Sequence, residues 1–203
     1  EVYLIGNPPY LGSSMQSKEQ KEDLALAYGN RPFSKNQDYI SAWFIKGAEF
    51  IRNSNAQLAF VSTNSVAQGD HVSLLFPELF NMGLEIGYAY TSFKWTNSAR
   101  GNAGVTVCVI SLRLPSTKQK YLFDGDTRIE AKQINGYLAD GPLVTIPRRT
   151  TPLCPKLPKM LFGSKPTDGG FLNLDRRERD DLVGNSPHAR KFIKHYVGAA
   201  RSE

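Results

Sequence analysis

The alternation of apolar and polar positions along this chain predicts an ordered succession of strands and helices. Val2-Tyr-Leu-Ile5 is a short β-prone run that stops at Gly6-Asn7-Pro8-Pro9-Tyr10, where two successive prolines forbid the strand to continue. Residues 11–37 are polar, rich in Ser, Lys, Glu, Asn and Gln, and read as a mobile connection with a helical turn around 21–28. Asp38 reads as an N-cap. Ile40, Phe44, Gly47 and Ile51, with Trp43 and Phe50 alongside, keep the spacing of a buried helix face that ends near Asn53.

Residues 56–62 read as a strand, 70–82 as a helix interrupted or kinked at Pro77, and 86–95 and 105–114 as strands rich in aromatic and β-branched residues. Up to about residue 87 the order is strand, loop, helix, strand, helix, strand, the grammar of an α/β sheet with helical crossovers. The last two strands, joined across 97–104 without a helix, are expected to pair antiparallel at one end of that sheet. After Pro115 the texture changes: basic residues multiply, and seven of the twelve prolines lie between 115 and 166. The reading therefore expects one domain over 1–115 and a second over 116–203. The mixed-sign run Arg176-Arg-Glu-Arg-Asp-Asp181 reads as a solvated helix face.

Composition narrows the classes without choosing among them. With 203 residues, 40% hydrophobic and 22% charged, the chain can bury a core, which excludes a disordered tail, a collagen-like rod and a disulfide miniprotein. Its apolar runs are far shorter than the roughly 20 residues of a spanning helix, so no membrane partner is expected. Cys108 and Cys154 are too few for a disulfide framework and fit a reducing compartment, with the cytoplasm as the expected location. The chain opens Glu1-Val-Tyr-Leu-Ile with no Met, basic region or cleavage site, which we read as a piece of something longer without a retained signal peptide. A net charge of +6 is compatible with nucleic acid and decides nothing alone.

The chemistry concentrates at Asn7-Pro8-Pro9-Tyr10. A string of Asp, Asn or Ser followed by Pro-Pro and an aromatic should arise by chance in well under roughly 1% of chains of this length. The string also suits a plain turn leaving a sheet, with Tyr10 as a packing residue. The functional alternative starts from an amine conjugated to an aromatic ring, whose lone pair is delocalised. If the Asn7 side-chain oxygen and a main-chain carbonyl, that of Pro8, each accept one N–H, the nitrogen is drawn toward tetrahedral geometry and can attack a sulfonium methyl. The prolines fix the carbonyl's direction, and Pro9 supplies no competing N–H. Tyr10 offers a face for an unstacked base, worth about 1 to 3 kcal/mol. Ligands of open α/β sheets bind beyond the carboxyl ends of the strands, where Asn7 falls.

Several blocks carry a family resemblance: Gly6-Asn-Pro-Pro-Tyr10, Asp38-Tyr-Ile-Ser-Ala-Trp43, Ala59-Phe-Val-Ser-Thr-Asn-Ser65 with Gln68-Gly69, Ser92-Phe-Lys-Trp-Thr-Asn97 leading into Ala103-Gly-Val-Thr-Val107, and Phe162-Gly-Ser-Lys-Pro-Thr-Asp-Gly-Gly170. With these the chain resembles the second half of a class I, S-adenosylmethionine-dependent N6-adenine DNA methyltransferase, in particular the MmeI-like family of single-chain restriction-modification enzymes. The resemblance implies an α/β fold: the second half of a Rossmann-like methyltransferase sheet with an antiparallel strand at one end, followed by a mixed, loop-rich target-recognition segment.

It places Asn7, Pro8, Pro9 and Tyr10 on the catalytic positions and Phe93 on the aromatic that packs the other side of a flipped adenine, with Trp95 as the fallback. Asp38 and Trp43 fall in the block beside the cofactor. The cofactor's glycine-rich loop would lie before Glu1, so the piece alone is expected to be inactive. Double-stranded DNA is the implied partner, and an endonuclease domain is implied for the full-length protein.

Other features lead away from chemistry. His71, His188 and His195 share no spacing with the two cysteines that indicates a metal site. Gly12-Ser-Ser-Met-Gln-Ser-Lys18 lacks the second glycine of a phosphate loop, and no G-x-S-x-G elbow or paired carboxylates support a hydrolase. Arg148, Arg149, Lys156, Lys159, Lys165, Arg190, Lys191 and Lys194 are candidates for phosphate contact, with solubilising surface charge as the alternative. Two rival functions remain: the same nitrogen chemistry aimed at RNA or a protein glutamine, and a non-catalytic DNA-binding module.

Overall fold

The computed structural model describes residues 2–95, 105–149, 151–152, 154–157 and 168–195. The chain divides into two compact units, Glu1–Arg149 and Thr150–Glu203.

The first unit is built on a six-stranded mixed sheet in the order β1-β2-β4-β3-β5-β6. Its strands are β1 (Val2–Gly6), β2 (Ala56–Thr63), β3 (Glu85–Trp95), β4 (Val105–Arg113), β5 (Lys120–Asp124) and β6 (Thr127–Ala131). β1 pairs parallel with β2 and β3 parallel with β5, while β4 runs antiparallel to both β2 and β3 and β6 antiparallel to β5. Four strands thus share one direction, and their carboxyl ends form one edge of the sheet. β1 pairs only with β2 among the described residues, and Val2 and Ile5 on it are exposed.

The expected antiparallel pairing of the last two predicted strands is present, but its place differs. β4 lies inside the sheet, between β2 and β3, because it pairs with both, and β5 and β6 extend the sheet beyond β3. That hairpin falls after Pro115, so the sheet does not stop where the texture changes. The signal for it is Gly125-Asp126 between alternating runs: Gly125, the first residue of the two-residue turn, takes φ +56°, a left-handed conformation that such a turn requires.

Three helices accompany the sheet: α1 (Lys18–Tyr28), α2 (Ile40–Ile51) and α3 (Gly69–Asn81), with a short 3₁₀ turn over Asn64–Ala67. α1 is a full helix where a single turn is expected. Ser17 and Gln20 form a reciprocal capping box that satisfies its first donors, and Gly29 at φ +58° ends it. α3 runs uninterrupted through Pro77; the missing N–H there leaves the Ser73 carbonyl without its helical donor.

Ile40, Phe44, Ile45, Ala48 and Ile51 of α2 are fully buried, and Gly47 lets the helix close on β2: a Cβ there would stand 2.8 Å from Leu58 Cδ2. Phe44 and Phe60 meet edge to face at 5.5 Å. Trp43 and Phe50, expected beside the buried face, are instead 44% and 60% exposed. With Tyr39 and Lys46 they recur every three or four residues on the opposite stripe, since each residue turns the helix by about 100°.

In the second unit, α4 (Arg176–Asn185) is capped by Asp175, whose carboxylate accepts from Arg177 and Glu178 N–H, and it buries no residue. This fits the solvated face expected for 176–181.

Candidate active site

The carboxyl edge of the sheet carries Asn7 to Tyr10 at the end of β1 and Phe93 near the end of β3, while Asp38 and Trp43 belong to the start of α2. Gly6 pairs with Phe60 in the last rung of β1, so the chain leaves the sheet at Asn7. Asn7 is exposed, Pro8 buried, Pro9 exposed and Tyr10 half-buried, with the Tyr10 side chain packed against the margin of the core. No hydrogen bond occupies the Asn7 amide or the Pro8 carbonyl among the described residues. Neither acceptor is therefore committed to another group among the described residues. Tyr10 is neither sealed in the core nor free of it.

The loop that follows is fastened by buried polar groups. Asp38, 6% exposed, accepts at Oδ1 from the Leu11 N–H at 2.9 Å and from the Ile40 N–H at 3.1 Å, and Tyr39 N–H returns a bond to the Leu11 carbonyl at 3.0 Å. Gln16 Nε2 donates to the Leu11 and Gln37 carbonyls, and Gln37 Nε2 donates to Tyr28 Oη and the Leu74 carbonyl. Asp38 thus caps α2 and latches residue 11, four positions beyond Asn7. Its carboxylate is committed to the main chain. Trp43, one helical turn into α2, lines a cleft of about 380 Å³ with Leu26, Ala27, Tyr39, Ala42, Asp23 and Lys46.

Farther along the edge, Phe93 is a half-buried residue of β3, within the strand expected over 86–95; it pairs with Val107 and its ring lies 6.3 Å from that of Trp95, itself 38% exposed. Asn7 and Phe93 are separated by three inter-strand spacings across the sheet, roughly 14 Å, and Phe93 lies farther along the strands, level with Thr63. The ends of β2 and β4 lie between them. Thr63, Asn64 and Ser65 bring a polar cluster there: Thr63 Oγ1 and Ser65 Oγ are 2.9 Å apart, and Asn64 Nδ2 donates to Ser92 Oγ at 2.7 Å. The sequence reading gave none of these polar residues a role; the signal for them is a polar run, Ser62-Thr-Asn-Ser65, that closes an apolar strand.

Cys108 is fully buried beneath this edge, and burial alone pushes its thiol up to about 12. A thiol of ordinary pKa, near 8.5, would begin to react at mild alkaline pH, whereas this one stays protonated and enclosed. Iodoacetamide at pH 8.5 is therefore expected to alkylate the partly exposed Cys154 and spare Cys108 until the fold is denatured, as read by peptide mass spectrometry. Native labelling of Cys108 would show that the strand ends open.

A second cavity, about 310 Å³, lies at the opposite end of β3 and is lined by Glu85, Ile86, Lys120 and Lys132. Glu85 there pairs with Arg113 at 2.9 Å and Lys120 at 3.0 Å, which holds strands together far from the carboxyl edge.

Of the basic residues expected to meet phosphate, Arg148, Arg149, Lys156, Arg190, Lys191 and Lys194 are exposed, and Lys159 and Lys165 lie outside the described residues. So do Asn97, Ala103, Gly104 and residues 162–167 of the resemblance blocks.

Comparison with known proteins places this edge in context. A family model described as the MmeI DNA-methyltransferase domain matches residues 1–124, and one described as the MmeI target recognition domain matches residues 140–202. DNA methyltransferase A of Bacillus subtilis (strain 168) is 44% identical over 200 residues, covering 98% of this chain and 23% of that protein. The structure of the Type IIL restriction-modification enzyme MmeI in complex with DNA superposes with a TM-score of 0.89 at 37% identity, over 97% of this chain and 27% of that one. The chain therefore spans about a quarter of the length of each of these two relatives. It belongs to the MmeI family of restriction-modification DNA methyltransferases, carrying sequence of both the methyltransferase domain and the target recognition domain.

Proposed function

We propose that the protein of which this chain is part transfers a methyl group to N6 of an adenine flipped out of double-stranded DNA. The single observation that carries the reading is the state of Asn7 and Pro8: two acceptors at the carboxyl edge of the sheet, neither occupied by a protein donor among the described residues. Each accepts one N–H of the exocyclic amine. The nitrogen lone pair is thereby released from the ring, and no general base of shifted pKa is needed, because two neutral acceptors polarise the amine in the transition state. Tyr10 and Phe93 flank the extruded base, Tyr10 from the loop after β1 and Phe93 from β3, with Trp95 beside Phe93.

S-adenosylmethionine supplies the methyl as a sulfonium. The open acceptors fit a reaction with such a donor. In this chain the exposed indole of Trp43 would be a surface for the cofactor, and Asp38 would act by holding residues 11 and 40 in place. We assign the cofactor's main binding loop and an endonuclease domain to the remainder of the parent protein. The match of residues 140–202 to a target recognition domain supports DNA over RNA or a protein glutamine as substrate. The exposed basic residues of that stretch are assigned to phosphate, where each would steepen the salt dependence of binding.

The test is product analysis: the full-length protein, S-adenosylmethionine and duplex DNA, digested to nucleosides and resolved by mass spectrometry. N6-methyladenine is expected. Methylated cytosine, or methyl transfer only to RNA or protein, would overturn the reading.

A further inference from the structure

The carboxyl end of β3 contains a β-bulge. Tyr90 pairs with Val109 and Phe93 with Val107, so Thr91 and Ser92 together stand opposite Cys108. The bulge has a directional consequence. In β4, Val107 and Val109 point to the same face, away from Cys108 and Ile110. Without the extra residue Ser92 would stand opposite Val107, and Phe93 would turn to the face that α2 packs against. An earlier irregularity sets Gly87 and Tyr88 together opposite Ser111, and with that shift in place the bulge at Thr91 and Ser92 returns Phe93 to the Val107 face.

Both bulged residues are held by side-chain hydrogen bonds. On the β5 side, Thr91 Oγ1 donates to the Phe123 carbonyl and to Asp124 Oδ1, each at 3.1 Å. On the β2 side, Ser92 Oγ accepts from Asn64 Nδ2 at 2.7 Å, across 28 residues of sequence. Asn64 is thereby the contact between the strand end beneath the middle of the candidate site and the residue adjoining Phe93.

We propose that Asn64 is a positioning residue for methyl transfer: through Ser92 it pins the bulge and so sets the direction in which Phe93 meets the flipped base. The proposal rests on the reading above that Phe93 flanks that base. It differs from a role in folding because the pair is peripheral: Ser92 is exposed and Asn64 half-buried, so losing the bond moves Phe93 without opening the core.

The test uses the full-length protein with Asn64→Ala, Ser92→Ala, the double variant and Ser92→Thr, which keeps the hydroxyl. Single-turnover methyl transfer is measured on duplex DNA, and 2-aminopurine fluorescence is read on a duplex carrying that base at the adenine the unaltered protein methylates. Each alanine variant is expected to slow transfer roughly ten- to a hundredfold and to change the fluorescence of the bound base. The double variant should be no slower than the worse single, and Ser92→Thr should restore both signals. Parental rates and fluorescence in both alanine variants, or losses that add in the double variant, overturn the proposal. Asn7→Ala measured alongside separates the two levels: if it also leaves transfer intact, the assignment of the site has failed, whereas an inactive Asn7→Ala beside unaffected Asn64→Ala refutes the role of Asn64 alone.

Discussion

Asn7→Ala in the full-length protein is expected to reduce methyl transfer by about 10²–10³-fold or more, the cost of removing one preorganised polar contact to a group whose charge develops in the transition state. The structure makes this a clean experiment. Asn7 is exposed and makes no hydrogen bond within the described residues, so its removal opens no cavity and strands no donor. Stability should change by no more than about 0.5 kcal/mol, as for an ordinary surface substitution.

The loss should appear in the rate of transfer, with DNA affinity near the parental value, because the acceptor acts on an amine that phosphate contacts have already positioned elsewhere. Asn7→Asp tests the same point from the other side. It keeps an acceptor of the same length but adds a charge, so it should retain more activity than alanine. Methyl transfer by Asn7→Ala at the parental rate would show that Asn-Pro-Pro-Tyr is a turn and nothing more.

Asp38→Ala has the second large expected effect, and it falls first on stability. The substitution leaves the Leu11 and Ile40 N–H groups without their acceptor in a part-buried setting, each at about 1–3 kcal/mol. It also frees the loop beyond Tyr10, so activity should fall along with the urea midpoint. Asp38→Asn retains Oδ1 and should recover most of both. If Asp38→Ala unfolds like the parent, the latch is unimportant. If Asp38→Asn keeps its stability yet loses affinity for S-adenosylmethionine, a direct charged contact with the cofactor outweighs the latch.

Much of this edge can be read from residues in a row. A β-prone run stopped by Pro-Pro ends at a strand's carboxyl terminus whatever surrounds it, because two prolines cannot continue a ladder. The 3.6-residue spacing of Ile40, Phe44, Gly47 and Ile51 likewise marks a buried face. It misleads for Trp43 and Phe50, since hydrophobicity alone does not say which of two apolar stripes meets the sheet; Gly47, which permits close approach to Leu58, decides that. The α1 helix and the β5–β6 hairpin were legible too, in Ser17-x-x-Gln20 and Gly125-Asp126, but both signals are short and lie in polar stretches that otherwise resemble loops.

The partnership of distant residues is different in kind. Leu11 and Asp38 are 27 positions apart and Asn64 and Ser92 are 28, and neither pair shares a periodic relation. The insertion of β4 between β2 and β3, and the two register shifts of β3 that together set the face of Phe93, are matters of strand order and register. The chain's local chemistry, namely its strand ends, its helix faces and the open acceptors after β1, was set by the order of its amino acids, since propensity and proline geometry act over a few residues. The neighbours of those groups were decided only in the folded sheet, where strand order and register bring distant polar atoms within 3 Å of each other.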